Sequence, residues 1–220
     1  MMISPENYER VILSERSEKG ILREISSMRG QIKRLKREIE HPDYAPMICP
    51  DEMVQISQYR DYIARAKEVL ARRGVECPTT RAEEREEAFR AAMEEISEIR
   101  LEIGCFLDAY HVYAVRLSDP IGYYTSKSYG FPNDEVTERA QEPPMSKDNF
   151  LRLLRELYLS EWRPHYSPER YGYMVFDGIQ WTLTIKYAGE RPDFVRTGSN
   201  SYPYNFDKLR FLLGASDEDL

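Results

Sequence analysis

Histidine and cysteine are scarce in this chain, three of each among 220 residues, and that scarcity narrows the chemistry open to it. His41 falls at a helix end, His111 in a strand-like stretch and His165 beside prolines, and none has the spacing of a metal motif such as HExxH. Cys49, Cys77 and Cys105 are odd in number, far apart and without a neighbouring ligand residue, which reads as free thiols in a reducing compartment. No apolar run approaches the roughly 18 residues that a membrane span needs. The opening MMISPENYER lacks the apolar core of a signal peptide. No membrane partner is expected, and the expected location is the cytoplasm. A phosphate-binding loop is missing too. Gly198-Ser199-Asn200-Ser201 comes nearest, lacks the Lys-Ser/Thr pair, and reads as turn geometry. No cofactor and no metal are expected.

Charge points the same way. A net charge of −7 disfavours broad contact with nucleic acid or anionic lipid. One basic cluster, Lys33, Arg34, Lys36 and Arg37, falls between apolar seam positions and reads first as a solvated helix face, second as a local anion or nucleic-acid contact. The acidic run Glu83, Glu84, Glu86 and Glu87 lies in the first turns of a helix, where it complements the dipole.

What the chain does have is a heptad-like repeat in three stretches. Ile21, Ile25, Met28, Ile32, Leu35 and Ile39 alternate steps of four and three, as do Ile56, Tyr59, Ile63, Ala66 and Leu70, and Phe89, Ala92, Ile96, Ile99, Ile103 and Phe106. Such spacing places one narrow apolar seam on each helix. Ser4-Pro5-Glu6 opens the first helix and His41-Pro42 stops it, with a break expected near Gly20. A second runs from Asp51 to Arg73 before Gly74, and a third from the Thr80-x-x-Glu83 capping box to Gly104. Residues 1–106 are therefore expected to be an antiparallel helical bundle or a coiled-coil hairpin, packed within the chain or by self-association.

From residue 107 the character changes to β-type alternation dense in tyrosine. Tyr110–Leu117, Tyr171–Phe176, Trp181–Tyr187 and Asp193–Thr197 read as strands. Residues 119–145 read as a mobile loop or hairpin tip. Helices are expected from Ser146 to Trp162 and from Asn205 to Gly214, with SDEDL as a frayed tail. Residues 107–220 are thus expected to be a tyrosine-rich α+β domain, a small antiparallel sheet with two helices.

Trp162, Tyr166, Asp177-Gly178, Trp181, Gly198, Asn200, Tyr202 and Pro203 form a spaced set ahead of the closing helix. With that set, residues 162–213 resemble a domain found in many uncharacterised proteins of clostridia-like bacteria and their phages. The resemblance covers about a quarter of the chain. It implies the α+β fold and a bacterial or phage origin, and it carries no catalytic residue.

Function is read from what remains. Twelve tyrosines of the C-terminal half exceed what a small core can hold, and tyrosine combines apolar area with a hydroxyl at interfaces. Tyr123, Tyr124, Tyr129, Tyr166 and Tyr202 are the expected binding residues, the first three on a Gly/Pro-bounded segment. The expected role is a non-enzymatic protein-interaction module. Its concrete version is a phage or mobile-element inhibitor of a nucleic-acid-handling host defence complex, an acidic surface occupying a basic channel. Two alternatives stay open: an enzyme with a site around Asp177, His111 or His165, and a single-stranded nucleic-acid binder that stacks bases on tyrosine.

Overall fold

A computed structural model describes residues 3–46, 50–105, 109–118, 120–129, 137–139, 145–175 and 177–215. Cys49, Phe106, Phe176 and the SDEDL tail lie outside them. The chain is α+β, with helices first and a mostly antiparallel sheet after them. It divides into two compact units between Thr80 and Arg81, upstream of the boundary expected after residue 106.

The first unit is helical. Helix α1 (Pro5–Tyr8), capped by the Ser4 hydroxyl, runs into a π-helical turn at Glu9–Leu13. Helix α2 (Glu18–Ile39) starts afresh from a Ser17 cap, so the expected break falls between Leu13 and Glu18. Helix α3 (Glu52–Arg72) is capped by Asp51 and followed by Gly74 at φ +75. The two expected seams close the α2–α3 hairpin: Ile21, Ile25, Met28, Ile32 and Leu35 are buried on one helix, Ile56, Ile63, Ala66 and Leu70 on the other. The N-terminal arm completes this core. Tyr8 stacks on Tyr62 at 4.1 Å, and Glu9 accepts ion-pair contacts from Arg65 at 2.7 Å and Arg72 at 2.6 Å.

The third seam is not a helical seam. Helix α4 (Arg81–Ala91) ends early, a 3₁₀ turn covers Met93–Glu95, and Ile96–Gly104 is strand β1. The sequence Ile99-Arg100-Leu101-Glu102-Ile103 explains the change. Steps of three and four select Ile96, Ile99 and Ile103 and leave Leu101 stranded on a polar face. Steps of two bury Ile99, Leu101 and Ile103 together and turn Glu98, Arg100 and Glu102 the other way. A bulge between Ile96 and Glu98 accommodates the odd residue, so Ile96 is buried as well.

Among the described residues six further strands extend the sheet: β2 (Ala109–Arg116), β3 (Gly122–Tyr129), β4 (Thr137–Arg139), β5 (His165–Tyr166), β6 (Gln180–Tyr187) and β7 (Phe194–Ser199). Their order is β4-β3-β2-β1-β6-β7-β5, antiparallel except for the β5–β7 pair. Strand β3 corrects the loop expected at 119–145 over residues 122–129, because GYYTSKSY is a β-rich alternating run that pairs with β2 along its length, while residues 119, 130–136 and 140–144 of that span lie outside the described residues. The strand expected at Tyr171–Phe176 is also corrected: Pro168–Tyr171 is a 3₁₀ turn, Gly172 takes φ +84, and Tyr173–Val175 belongs to no strand. Helix α5 (Lys147–Arg155) is shorter than expected and gives way to Tyr158 at φ 49 and a second 3₁₀ turn. Helix α6 (Phe206–Leu213) ends at Gly214, φ +72.

One face of the sheet carries the core. Ile99, Leu101 and Ile103 stand opposite Ile185, Leu183 and Trp181 on β6, all at 2% exposure or less. Thr182 and Thr184 are half-buried and Lys186 is exposed on the other face, which is the expected register. Phe150, Leu151 and Leu154 of α5 and Leu209 and Leu213 of α6 supply the helical layer.

Leu101 lies at 0% exposure in the middle strand of the sheet. Leu101→Ala is expected to lower the unfolding free energy by about 2–5 kcal/mol in urea titrations. A loss within experimental error of zero would contradict the strand assignment.

Candidate interaction surface

The residues behind the resemblance build one aromatic corner at the β6–β7 end of the core face. Trp162 donates its indole N–H to Asn205 Oδ1 at 2.9 Å, and Trp181 donates to the Ser201 carbonyl at 2.9 Å. The two indoles meet edge-on at 6.2 Å, and Phe206 and Tyr166 pack on Trp181 at 4.8 and 5.8 Å. Gly198 is required here because a Cβ would overlap the Trp181 indole. Asn200, at φ 47, accepts the Ile179 N–H at 2.9 Å and donates to the Asp177 carbonyl at 3.4 Å. It ties down the Asp177-Gly178 turn, where a Cβ on Gly178 would overlap the Asn200 side chain. Each of these polar atoms is spent on the fold.

Two of the groups named for the enzyme alternative, His111 and His165, lie apart. The register puts His111 on the core face of β2, opposite Ile103, with Tyr113 Oη 3.4 Å from its Nδ1. His165 lies on the opposite face of the edge strand β5, its Nδ1 2.8 Å from Thr197 Oγ1. Four strand spacings of about 4.8 Å separate β2 from β5, roughly 19 Å. Asp177 is exposed in its turn. Among the described residues no group of three or more His, Cys, Asp or Glu side chains is placed to hold a metal ion. Cys77 and Cys105 are half-buried free thiols.

The five expected binding tyrosines part company as well. Tyr123 and Tyr166 are buried at 3% exposure in the core face. Tyr202 is half-buried on Phe206 at 5.0 Å, and burial pushes its phenol above the ordinary value. Tyr129, at 80% exposure, is the most open. Because β3 alternates, Tyr123 and Tyr129 point to the core face and Tyr124 to the outer one. The three cannot form one patch.

The outer face brings together residues that local sequence reading missed. A row crosses four strands: Lys186 on β6, Glu98 on β1, Arg116 on β2, and Tyr124 beside it on β3. Glu98 accepts from Lys186 Nζ and from Arg116 Nε, each at 3.1 Å, and the Arg116 guanidinium lies over the Tyr124 ring at 4.2 Å. Partial burial pushes the Glu98 carboxyl up, but the hydrogen bonds from Lys186 and Arg116 outweigh it and leave it below the ordinary carboxylate value. Arg100 pairs with Glu102 at 2.8 Å in the next rows. The only sequence signal for this lattice is the period-two spacing of Glu98, Arg100 and Glu102.

Charge is unevenly divided. Residues 1–80 hold 14 Lys and Arg against 13 Asp and Glu, whereas residues 81–220 hold 17 against 25. The sheet unit carries the whole acidic excess. No helix among the described residues is long and apolar enough to cross a membrane. No protein-family model, curated protein or solved structure matches the chain.

Asn205 bridges two buried groups, the Trp162 N–H and the Leu157 carbonyl at 2.7 Å. Asn205→Ala is expected to cost about 1–3 kcal/mol for each group left unpaired, read as a lowered melting temperature. An unchanged melting temperature would show that the corner does not depend on that bridge. Glu98 gives a pH test. Its folded value is depressed, so its stabilisation is complete above about pH 4.3, the unfolded value, and is lost as pH falls through the folded value. Glu98→Gln is expected to lower stability at neutral pH and flatten the acid limb of the stability profile. A variant with the wild-type acid limb would rule out the lattice as its source.

Proposed function

We propose that the chain is a non-enzymatic protein-interaction module, and that the outer face of its sheet is the binding face. The observation carrying this reading is the Lys186–Glu98–Arg116–Tyr124 row, a cross-strand lattice of mixed charge with an aromatic ring fixed under a guanidinium. Tyrosine and arginine dominate the energetics of protein interfaces. Holding both in place before contact reduces the ordering cost of binding. Thr182, Thr184 and Gln180 on β6 and Thr197 and Ser199 on β7 extend the same face with short polar side chains able to bond to a partner's backbone.

The phage-type resemblance of residues 162–213 motivates a finer version, an inhibitor of a nucleic-acid-handling host defence complex. The acidic excess of residues 81–220 supports it, since such a surface complements a basic channel. The same excess weighs against tyrosine stacking on single-stranded nucleic acid by this unit, which needs a positive groove. The enzyme alternative would need these groups in one pocket, and His111 and His165 lie on opposite faces of the sheet, four strand spacings apart.

Affinity capture on the immobilised chain identifies a partner, and titration calorimetry with that purified partner then tests the face. Tyr124→Ala and Arg116→Ala are each expected to weaken binding by about 2 kcal/mol, with His111→Gln, on the core face, neutral. Loss of biological activity on His165→Gln with binding and melting temperature intact would replace this reading with catalysis.

A further inference from the structure

The helical unit carries a second feature, independent of the sheet face and of the function proposed for it. At the α2–α3 end of the hairpin lies an open groove of about 770 Å³, within the size range of small-ligand sites. Gly30, Lys33, Arg34, Arg37 and His41 line it. Along α2, Gly30, Lys33 and Arg37 follow one another in steps of three and four, with Arg34 next to Lys33 and His41 just past the helix end, so they form one stripe beside the seam of Met28, Ile32 and Leu35. From Ile25 to Arg37 the helix bears five cations, Arg29, Lys33, Arg34, Lys36 and Arg37, and no acid.

Gly30 is the informative residue. It sits inside a 22-residue helix, where glycine is disfavoured relative to alanine. A Cβ there would meet nothing within 4 Å, so packing does not demand a glycine. Its missing side chain leaves the groove floor open to close approach of another molecule. Tyr44 forms part of the wall. Its hydroxyl donates at 2.8 Å to Glu52, which is only 3% exposed, and this bond holds the ring in place. Burial, then that carboxylate, pushes the phenol up to about 12. His41 Nδ1 accepts the Asp43 backbone N–H at 3.1 Å, which orients the imidazole on the same wall.

Three carboxylates also line the groove. Glu52 is engaged by Tyr44, and Asp43 lies 4.0 Å from His41. Glu38 is 3.8 Å from Arg34, both well exposed, and exposed pairs of that length contribute little and exchange readily for a stronger anion. Phosphate is such an anion, and arginine forks match its oxygens.

We propose that this groove binds a nucleoside phosphate, with Lys33, Arg34 and Arg37 on the phosphate and the Tyr44 ring against the base. A free nucleotide and a single-stranded nucleic acid share that chemistry, and the experiment separates them. Anisotropy of an end-labelled oligothymidylate of about twelve nucleotides is measured with the full chain at low salt, with unlabelled AMP as competitor. Lys33→Glu with Arg37→Glu is expected to weaken binding at least about tenfold and to flatten the salt dependence, as loss of phosphate contacts requires. Gly30→Gln fills the floor and favours the helix, so it is expected to weaken binding while the melting temperature holds or rises. Displacement by AMP supports a nucleotide site, and binding of the oligonucleotide alone supports a strand site. Failure of both probes to bind, or equal binding by the wild type and the doubly reversed variant, overturns the proposal.

Discussion

Strand β1 pairs with β2 along one edge and with β6 along the other, and the positions of nearly all other groups in the sheet unit follow from that double pairing. Its register sets Leu101 against both Tyr113 and Leu183, and Ile99 against both Val115 and Ile185. A slip of one residue would send the apolar set outward and draw Glu98, Arg100 and Glu102 into the core. Burying three unpaired charges costs far more than the few kcal/mol by which such a domain is stable. The alternation of β1 therefore holds the core and the outer lattice together, since one set of hydrogen bonds positions Leu101 inward and Glu98 outward.

The aromatic corner depends on the same frame. Trp181 stands opposite Ile103 on one side and Gly198 on the other, and the bare glycine lets the indole lie flat across β7. Asn205 and Asn200 then satisfy backbone and indole groups that burial would otherwise leave unpaired. Trp162, Trp181, Gly198 and Asn200 are thus occupied in building the fold, which directs attention to the outer face and to the helical unit.

Much of this was legible beforehand, for identifiable reasons. The α2 and α3 seams run for five or six positions with caps at their starts, and no alternative period competes with them. Trp181, Leu183 and Ile185 alternate cleanly with Thr182, Thr184 and Lys186. Over residues 96–104 the helical expectation fails because Ile96, Ile99 and Ile103 fit a helical repeat by coincidence. Leu101, off that repeat, was the local signal for a strand. Over residues 122–129 the loop expectation fails because polar Thr125, Ser126, Lys127 and Ser128 resemble a loop until β2 is available to pair with them. Of the outer lattice, only the period-two spacing of Glu98, Arg100 and Glu102 is legible. It joins residues 98, 116, 124 and 186, which only the strand order brings together. The basic stripe was visible in sequence, but the open Gly30 floor and the Tyr44–Glu52 bond beside it depend on the hairpin end.

Amide hydrogen exchange across residues 96–104 tests the central claim most directly. As the middle strand of a seven-stranded sheet, β1 should exchange among the slowest segments of the chain. It should do so together with β6, both amide sets opening only when the sheet unit unfolds. Exchange of residues 96–104 at the faster rate of the exposed helix 81–91 would place them outside the sheet, and the core register and the outer face would fall with them.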